Sequence, residues 1–307
     1  MICAAGIDLG GTKSEVQLFD QQWRQRDVRR DPTPRTYPEL VELLATQVHW
    51  ALERAQGSVP IGLGAAGLLY PDGTSFTANL PVKGQTLLDD LIRSAGHSVT
   101  YVNDCRAMAL SEAKYGAGRG YTTVMALILG TGVGGGIVQH GRLLPAGPSG
   151  TGGEFGHMPA SALVAQSNGL PSRPCGCGRL GCAETYIAGP GMSALALHLT
   201  GEQLTPEQIV ARRHSDEAIN EVWAVWVSFT ADLLLSLVQV VDPDVIVLGG
   251  GLSQIPGVCE ALSKGLAATQ IRGFGIPRIV LAEGGDASGA RGAAMAALAA
   301  GGSQDHA

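Results

Sequence analysis

Apolar positions along this chain fall into short unbroken runs, each closed by glycine or by a carboxylate. Residues 2–8 lead into Gly10-Gly11-Thr12-Lys13, residues 60–63 into Gly64-Ala65-Ala66-Gly67, and residues 99–102 into Asn103-Asp104. Further on, 123–129 leads into Gly130-Thr131-Gly132, and 245–248 into Gly249-Gly250-Gly251. Runs this short and this rich in Val, Ile and Leu predict strands buried on both faces. Between them the spacing predicts helices over 38–55, 105–115 and 217–241. Strands alternating with helices make an α/β protein. Two of the glycine turns are followed by strands instead of helices. Ser14-Glu15-Val16-Gln17-Leu18-Phe19 alternates after the first, and Ile137-Val138-Gln139-His140 continues after Gly134-Gly135-Gly136. The pattern predicts a duplicated fold: two hairpin-bearing halves, each opening on a glycine turn, with a cleft between them. The boundary is expected near 116–120, giving a small N-terminal α/β domain over 1–117. A final helix near 287–300 is expected to return to it. A larger C-terminal α/β domain would span 118–286.

The chain has 307 residues, 45% apolar and 16% charged, long enough for two cores and too apolar for disorder. A net charge of -6 argues against a nucleic-acid surface, whose affinity comes from clustered Lys and Arg. The N-terminal residues lack the basic flank and long apolar stretch of a signal peptide. Residues 225–241 raise the question of a membrane span. Asp232 and Gln239 interrupt them, and the pattern before Asp242-Pro243 suits a buried helix. A cytoplasmic protein that neither spans nor binds a membrane is the expectation. In that compartment cysteines stay reduced, which favours metal binding over disulfides.

Chemistry-bearing residues gather at a few places. His157 is followed by Cys175-Gly176-Cys177-Gly178-Arg179-Leu180-Gly181-Cys182, which holds three of the six cysteines. Zinc takes a tetrahedral shell of thiolate and imidazole, and a closed Cys3His shell leaves no position for water. His157, Cys175, Cys177 and Cys182 therefore read as a structural Zn2+ clip, the alternative being free thiols in a glycine-rich loop or a disulfide. Glu154 and Glu184 lie just outside the first and last ligands, so the clip would fix two carboxylates. Asp8-Leu9-Gly10-Gly11-Thr12-Lys13 is a strand-to-strand turn whose backbone N–H groups, with the Thr12 hydroxyl and the Lys13 charge, suit a phosphate. It lacks the spacing of a Walker loop. Gly130-Thr131-Gly132-Val133-Gly134-Gly135 formally matches the dinucleotide fingerprint, but it runs into a strand where that fingerprint needs a helix. A second phosphate turn fits better. Asn103-Asp104, at the end of a strand, puts a carboxylate where it can take the proton of an attacking sugar hydroxyl. The alternative is that Asp104 merely caps the following helix.

In this order Asp8-Gly10-Gly11-Thr12-Lys13, Asn103-Asp104, 127–136, Gly153-Glu154-Phe155-Gly156-His157-Met158 and the Cys175 to Cys182 cluster resemble the ROK family of sugar kinases and repressors over nearly the whole chain. Pro34-Arg35, Asn79-Leu80-Pro81, Val241-Asp242-Pro243-Asp244 and Arg291-Gly292-Ala293-Ala294 are similar to its bacterial N-acetylglucosamine kinase branch. The resemblance implies an actin-like, ribonuclease-H-like ATPase fold of two α/β domains around a cleft that takes ATP and a small-molecule sugar. It implies Asp104 as catalytic base acting for the 6-hydroxyl of N-acetyl-D-glucosamine, with glucose, fructose, N-acetylmannosamine or allose as alternative acceptors. Gly67, Asn79, Asn103, Glu154, His157 and Glu184 would line the sugar site. Asp8, Gly10, Gly11, Thr12, Lys13, Thr131 and Gly132 would hold phosphates and Mg2+, and Gly249 and Gly250 would border the adenosine. His157 would serve twice, zinc on one ring nitrogen and sugar on the other. A homodimer is implied as well.

The rival reading is a sugar-responsive regulator with a helix-turn-helix ahead of the same core. With Asp8 so near the start of the chain, no such segment is expected. A non-catalytic sugar sensor would not need the Asp8, Gly10 to Lys13 and Asp104 set.

Overall fold

The computed structural model describes residues 1–77, 80–145 and 147–301, which form two compact units. Asn79 lies outside the described residues. The first unit collects 1–119, 136–152 and the chain from 283 onward; the second collects 120–135 and 153–282. The chain thus passes between units more often than one boundary near 116–120 would require.

The first unit opens with three antiparallel strands, β1 (Ile2–Leu9), β2 (Lys13–Asp20) and β3 (Gln25–Pro32). Then come helix α1 (Tyr37–Ala55), strand β4 (Ile61–Ala65), the small hairpin β5 (Leu68–Leu69) and β6 (Ser75–Phe76), and helix α2 (Leu87–Ala95). Strand β7 (Val99–Asn103) runs directly into α3 (Asp104–Lys114). The sheet order is β3-β2-β1-β4-β7, with β1, β4 and β7 parallel. Leu40, Leu44 and Val48 recur every four residues on α1 and bury one helical stripe against Ile7, Val16, Leu18, Ile61 and Leu63. Truncating any one of these leucines to alanine removes about 2–5 kcal/mol.

The second unit contains β8 (Thr123–Leu129) and the start of β9 (Val133–Gln139), whose later residues, with β10 (Arg142–Leu143), group with the first unit. It continues through α4 (Ala162–Ser167), α5 (Glu184–Ile187), α6 (Gly189–Thr200), α7 (Pro206–Arg212) and α8 (Glu217–Val241). Strand β11 (Val245–Gly249), α9 (Val258–Thr269) and β12 (Arg278–Leu281) complete it, with β8, β11 and β12 parallel. Among the described residues α8 is the one helix long and apolar enough to cross a membrane, and half of its apolar window is buried inside the protein. Trp226, Phe229, Leu233 and Leu234 face inward, and the Trp226 indole donates to the Ile187 carbonyl at 2.9 Å. That is the packing of a core helix.

The last helix, α10 (Ser288–Gly301), belongs to the first unit and lies on β1, β4, β7 and α3. Its approach is backbone on backbone. A Cβ on Gly62 would run into the Ala293 carbonyl oxygen, and one on Gly292 into that of Ala107. Glu112, fully buried near the end of α3, accepts from the amides of Ala117, Glu283 and Gly284 at 3.0, 3.0 and 2.7 Å. It also accepts from the Ser288 hydroxyl at 2.8 Å, which ties α10 to α3 at its start.

Candidate active site

In the first unit the parallel strands bring three groups to one sheet edge. Register pairs Asp8 with Gly64 and Ala65 with Asn103, so the carboxyl ends of β1, β4 and β7 lie side by side. Ligands in open α/β sheets bind at such ends. The β1–β2 turn is closed by the Gly10 amide on the Lys13 carbonyl at 2.9 Å, and the Thr33 hydroxyl braces it by donating to the Gly10 carbonyl at 2.7 Å. Gly11, Thr12 and Lys13 are exposed at its tip. Asp8 points at the first turn of α10, where a Cβ on Gly289 would come within 2.7 Å of its Oδ2.

At the third strand end the structure separates two neighbouring residues by role. Asn103 is the N-cap of α3: its Oδ1 accepts from the amides of Cys105 at 3.0 Å and Arg106 at 3.3 Å, while Nδ2 donates to the Gly67 carbonyl at 3.1 Å. Asp104 is therefore the first residue of the helix and not its cap. Its carboxylate, half-buried, accepts from the Cys105 amide at 2.8 Å. Burial pushes the Asp104 carboxyl above its ordinary range, against the pull of that N–H. Gly67 keeps its place through a left-handed φ of 110°, and any Cβ there would strike the Phe76 carbonyl oxygen. Tyr101 donates its hydroxyl to the same Gly67 carbonyl at 3.1 Å.

In the second unit the Gly130-Thr131-Gly132 turn follows β8 and leads into strand, as the alternating pattern requires. The Gly130 amide closes on the Gly132 carbonyl at 3.0 Å, and Gly189 donates to the Gly130 carbonyl at 2.8 Å. Gly249, the last residue of β11, pairs with Ile128. Gly250, at φ 82°, packs so closely on Leu129 that only glycine fits. Beside these turns opens a cavity of about 730 Å³ lined by Gly130, Thr131, the start of α6, Pro206, Glu207, Val210 and Ala211 of α7, and Gly251, Leu252, Gln254, Ile255 and Pro256. Gly249 and Gly250 stand next to it in sequence; Gly251 forms its wall. No ligand-binding motif marks Ser193, Thr205, Pro206 or Gln254, which also line it. The one signal available was Thr205-Pro206, a capping threonine and an N1 proline that open α7 with a full capping box to Gln208.

The Cys3His set also forms in the second unit. The ligand atoms of His157, Cys175, Cys177 and Cys182 lie within 4.8 Å of one another. Cys177 Sγ to Cys182 Sγ is 3.6 Å and Cys175 Sγ to His157 Nδ1 is 3.5 Å. A zinc tetrahedron with bonds near 2.3 Å has edges of about 3.8 Å, so these separations suit one ion. Tight turns shape the loop: the Cys175 amide meets the Arg179 carbonyl at 2.8 Å, and Gly178 and Gly181 take φ of 87° and 73°. A bridge between Pro159 and Cys182 stitches the loop to the histidine's segment. Because Nδ1 faces the cysteines, Nε2 of His157 faces out, 3.7 Å from Glu154 Oε2. Glu184 Oε1 accepts from Cys175 Sγ at 3.0 Å and lies 3.5 Å from His157 Nδ1, and its other oxygen is beside Gly132. Glu154, His157 and Glu184 thus form one group, attached to the cysteine loop on one side and the glycine turn on the other.

The ROK family profile matches residues 4–300. The chain is 40% identical over 303 residues to an N-acetyl-D-glucosamine kinase of Yersinia pseudotuberculosis, covering 96% of this chain and 98% of that one. It is 39% identical over 293 residues to an N-acetylgalactosamine kinase of a Shewanella strain, covering 94% and 95%. Among solved structures it resembles a ROK hexokinase from Thermus thermophilus with a TM-score of 0.87 and 31% identity, over 98% and 99% of the two chains. A ROK family glucokinase from Streptomyces griseus, solved with glucose and AMPPNP, aligns with a TM-score of 0.74 and 26% identity over 95% and 98%. The fold is the actin-like, ribonuclease-H-like ATPase fold with two α/β domains. With its glycine turns, its strand-end Asn-Asp pair and its Cys3His loop in place along that fold, the chain belongs to the ROK family.

Proposed function

We propose that this chain is an ATP-dependent kinase that phosphorylates the 6-hydroxyl of N-acetyl-D-glucosamine. The observation that carries the chemistry is the division of labour at the end of β7. Asn103 satisfies the helix terminus, which leaves the Asp104 carboxylate to accept a proton. In the proposed step Asp104 takes the proton of the sugar's O6 as O6 bonds to the γ-phosphorus. The bond from that phosphorus to the β,γ-bridging oxygen breaks, and ADP leaves. Gly11, Thr12 and Lys13 on one turn and Thr131 and Gly132 on the other would cradle the phosphates. Asp8 would hold Mg2+, which when bound neutralises charge on the β- and γ-phosphates. The cavity beside Gly130 and Gly251 would seat the adenosine. Gly67, Asn79, Asn103, Glu154, His157 and Glu184 would bound the sugar.

His157, Cys175, Cys177 and Cys182 would hold a structural Zn2+, whose chemistry is to organise the loop. With Nδ1 on the metal, the outward Nε2–H is left as a donor for a sugar hydroxyl. The working protein would be a cytoplasmic homodimer with no nucleic-acid or membrane partner. Its small domain would span 1–117 with the C-terminal helix, its larger zinc-bearing domain 118–286.

A second acceptor is favoured by one observation. The Shewanella relative, almost as similar as the Yersinia one, is an N-acetylgalactosamine kinase. The two sugars share the 2-acetamido group and differ at C4. A coupled assay of ADP release against N-acetylglucosamine, N-acetylgalactosamine, N-acetylmannosamine, glucose, fructose and allose tests both readings. The expected order puts N-acetylglucosamine first. Losing one buried hydrogen bond to the acetamido group should lower kcat/KM for glucose roughly 5- to 150-fold. A higher kcat/KM for glucose or N-acetylgalactosamine would replace the acceptor, and ADP release indifferent to every sugar would refute the kinase.

A further inference from the structure

The turn between α7 and α8 buries an arginine that its sequence context disguises. Arg212-Arg213-His214-Ser215 reads as a solvated turn, and Arg212 behaves so, ion-paired to Glu202 and Asp216 at 2.6 Å each. Arg213 does not. It is 7% exposed, its guanidinium lies over the Trp223 ring 4.5 Å from the centroid, and its Nη2 donates to the Pro256 carbonyl at 2.5 Å. Its Nε donates to His214 Nε2 at 3.1 Å, and its Nη1 is buried with no hydrogen-bond partner among the described residues. Nor does it form an ion pair among them. A buried guanidinium with an unmet donor costs stability, and burial pulls the Arg213 pKa down. A methionine could cover Trp223 without that cost, so core packing does not account for an arginine at this position.

What the side chain reaches does account for it. Pro206, Val210 and Ala211 of α7 form one wall of the 730 Å³ cavity, and Gln254, Ile255 and Pro256 form another. Arg213 extends the first wall and bonds to the second. α7 is only seven residues long, too short to hold its own position. We propose that Arg213 is a positioning residue for the nucleotide: by bonding α7's end to Pro256 it sets the width of the cavity into which the adenosine inserts. The proposal rests on reading that cavity as the adenosine seat. Arg213 touches no substrate; it acts through Pro256 and the α7 wall.

The test compares full-length wild type with Arg213→Met and Arg213→Lys by calorimetric ADP binding, KM for ATP, KM for N-acetylglucosamine, and Tm. Arg213→Met should keep or raise Tm while weakening ADP binding and raising KM for ATP about tenfold, the size of one hydrogen bond to a charged group. KM for the sugar should not move. Arg213→Lys keeps one donor for the Pro256 carbonyl and should fall between. A lower Tm with unchanged ADP affinity, or equal shifts in the KM of ATP and sugar, would overturn the proposal. If Arg213→Met does not fold, Arg213→Lys decides by the same split. A wild type that binds ADP but releases none in response to sugar would sink the kinase reading and leave the ADP comparison standing. A wild type that binds no ADP would sink both.

Discussion

At the scale of single residues, proximity in sequence hides opposite duties. Asn103 and Asp104 are adjacent, and the pair was legible as a candidate because it ends an apolar strand. Which of the two caps the helix was not legible, since Asn and Asp cap about equally well. The structure separates them, and a consequence follows for stability. Burial favours the neutral form of Asp104, so the folded chain holds that proton more tightly than the unfolded one. The stabilisation is complete below the unfolded carboxyl value and is lost as pH rises through the raised folded value. Asp104→Asn stays neutral and keeps an oxygen for the Cys105 amide. It should melt with the wild type in acid, melt above it at neutral pH, and turn over roughly 10²–10⁴-fold more slowly. Melting curves across that pH range beside a turnover assay check this; a variant with near-native turnover, or one less stable at neutral pH, would contradict it. At the cysteine loop, Cys177→Ala removes one of four convergent candidate ligands. Zinc content should fall from about one per chain toward zero, and KM for the sugar should rise roughly 10- to 100-fold as Glu154 and Glu184 lose their common anchor. Elemental analysis of both proteins, purified without chelators, reads the first effect and the assay reads the second. Arg213 marks the limit of residue-level reading: nothing in an Arg-Arg-His turn says which arginine is buried.

At the scale of elements, the sequence is most legible where burial is two-sided. The runs at 2–8, 99–102, 123–129 and 245–248 are strands within a residue or so of their expected ends, and α8 keeps the span 217–241. Strand β3 escapes the pattern because it is a charged edge. Arg26, Arg29 and Arg30 alternate with Asp27 and Asp31, held by pairs such as Arg26 with Asp20 and Arg30 with Glu15. Helix α10 was expected near 287–300, but alanine and glycine at nearly every position give no stripe to show what it packs on. The answer lies in the partner strands. Gly62 on β4 carries no side chain because the α10 backbone occupies that space. Gly62→Ala should therefore cost about 3 kcal/mol or more, at or above the usual range for overpacking, since the atoms its Cβ would strike are backbone. Gly57→Ala, at a position with open space, should be close to neutral. Urea denaturation of the two variants makes the comparison, and equal stabilities would show that α10 can shift without penalty.

At the scale of the whole molecule, chain order and spatial grouping diverge. A pattern that reads outward from each strand sees neighbours in sequence. It anticipates the return of the helix near 287–300, but it cannot see that residues 136–152 group with the first unit as well. Long-range closure of this kind is set by complementary surfaces far apart in the chain, and it makes the first unit's folding depend on non-local contacts. Ala290, Ala293, Ala294, Met295 and Ala297 are all buried on α10, against a sheet whose strands lie within the first 103 residues. The second unit, by contrast, takes nothing from the chain beyond 282; it collects 120–135 and 153–282, including the four candidate zinc ligands. A chain ended after Ala282 should thus fail in one unit and survive in the other. Without α10 the sheet edge bearing Asp8, Asn103 and Asp104 loses its cover and Glu112 loses Glu283, Gly284 and Ser288, so the first unit should become protease-sensitive and sugar-dependent ADP release should vanish. The second unit should still bind about one zinc per chain, because its ligands and their turns are untouched. Limited proteolysis with mass mapping, run beside metal analysis, separates the outcomes. Retained activity would mean that α10 does not close the first unit, and loss of zinc along with activity would mean that the second unit cannot fold without the first.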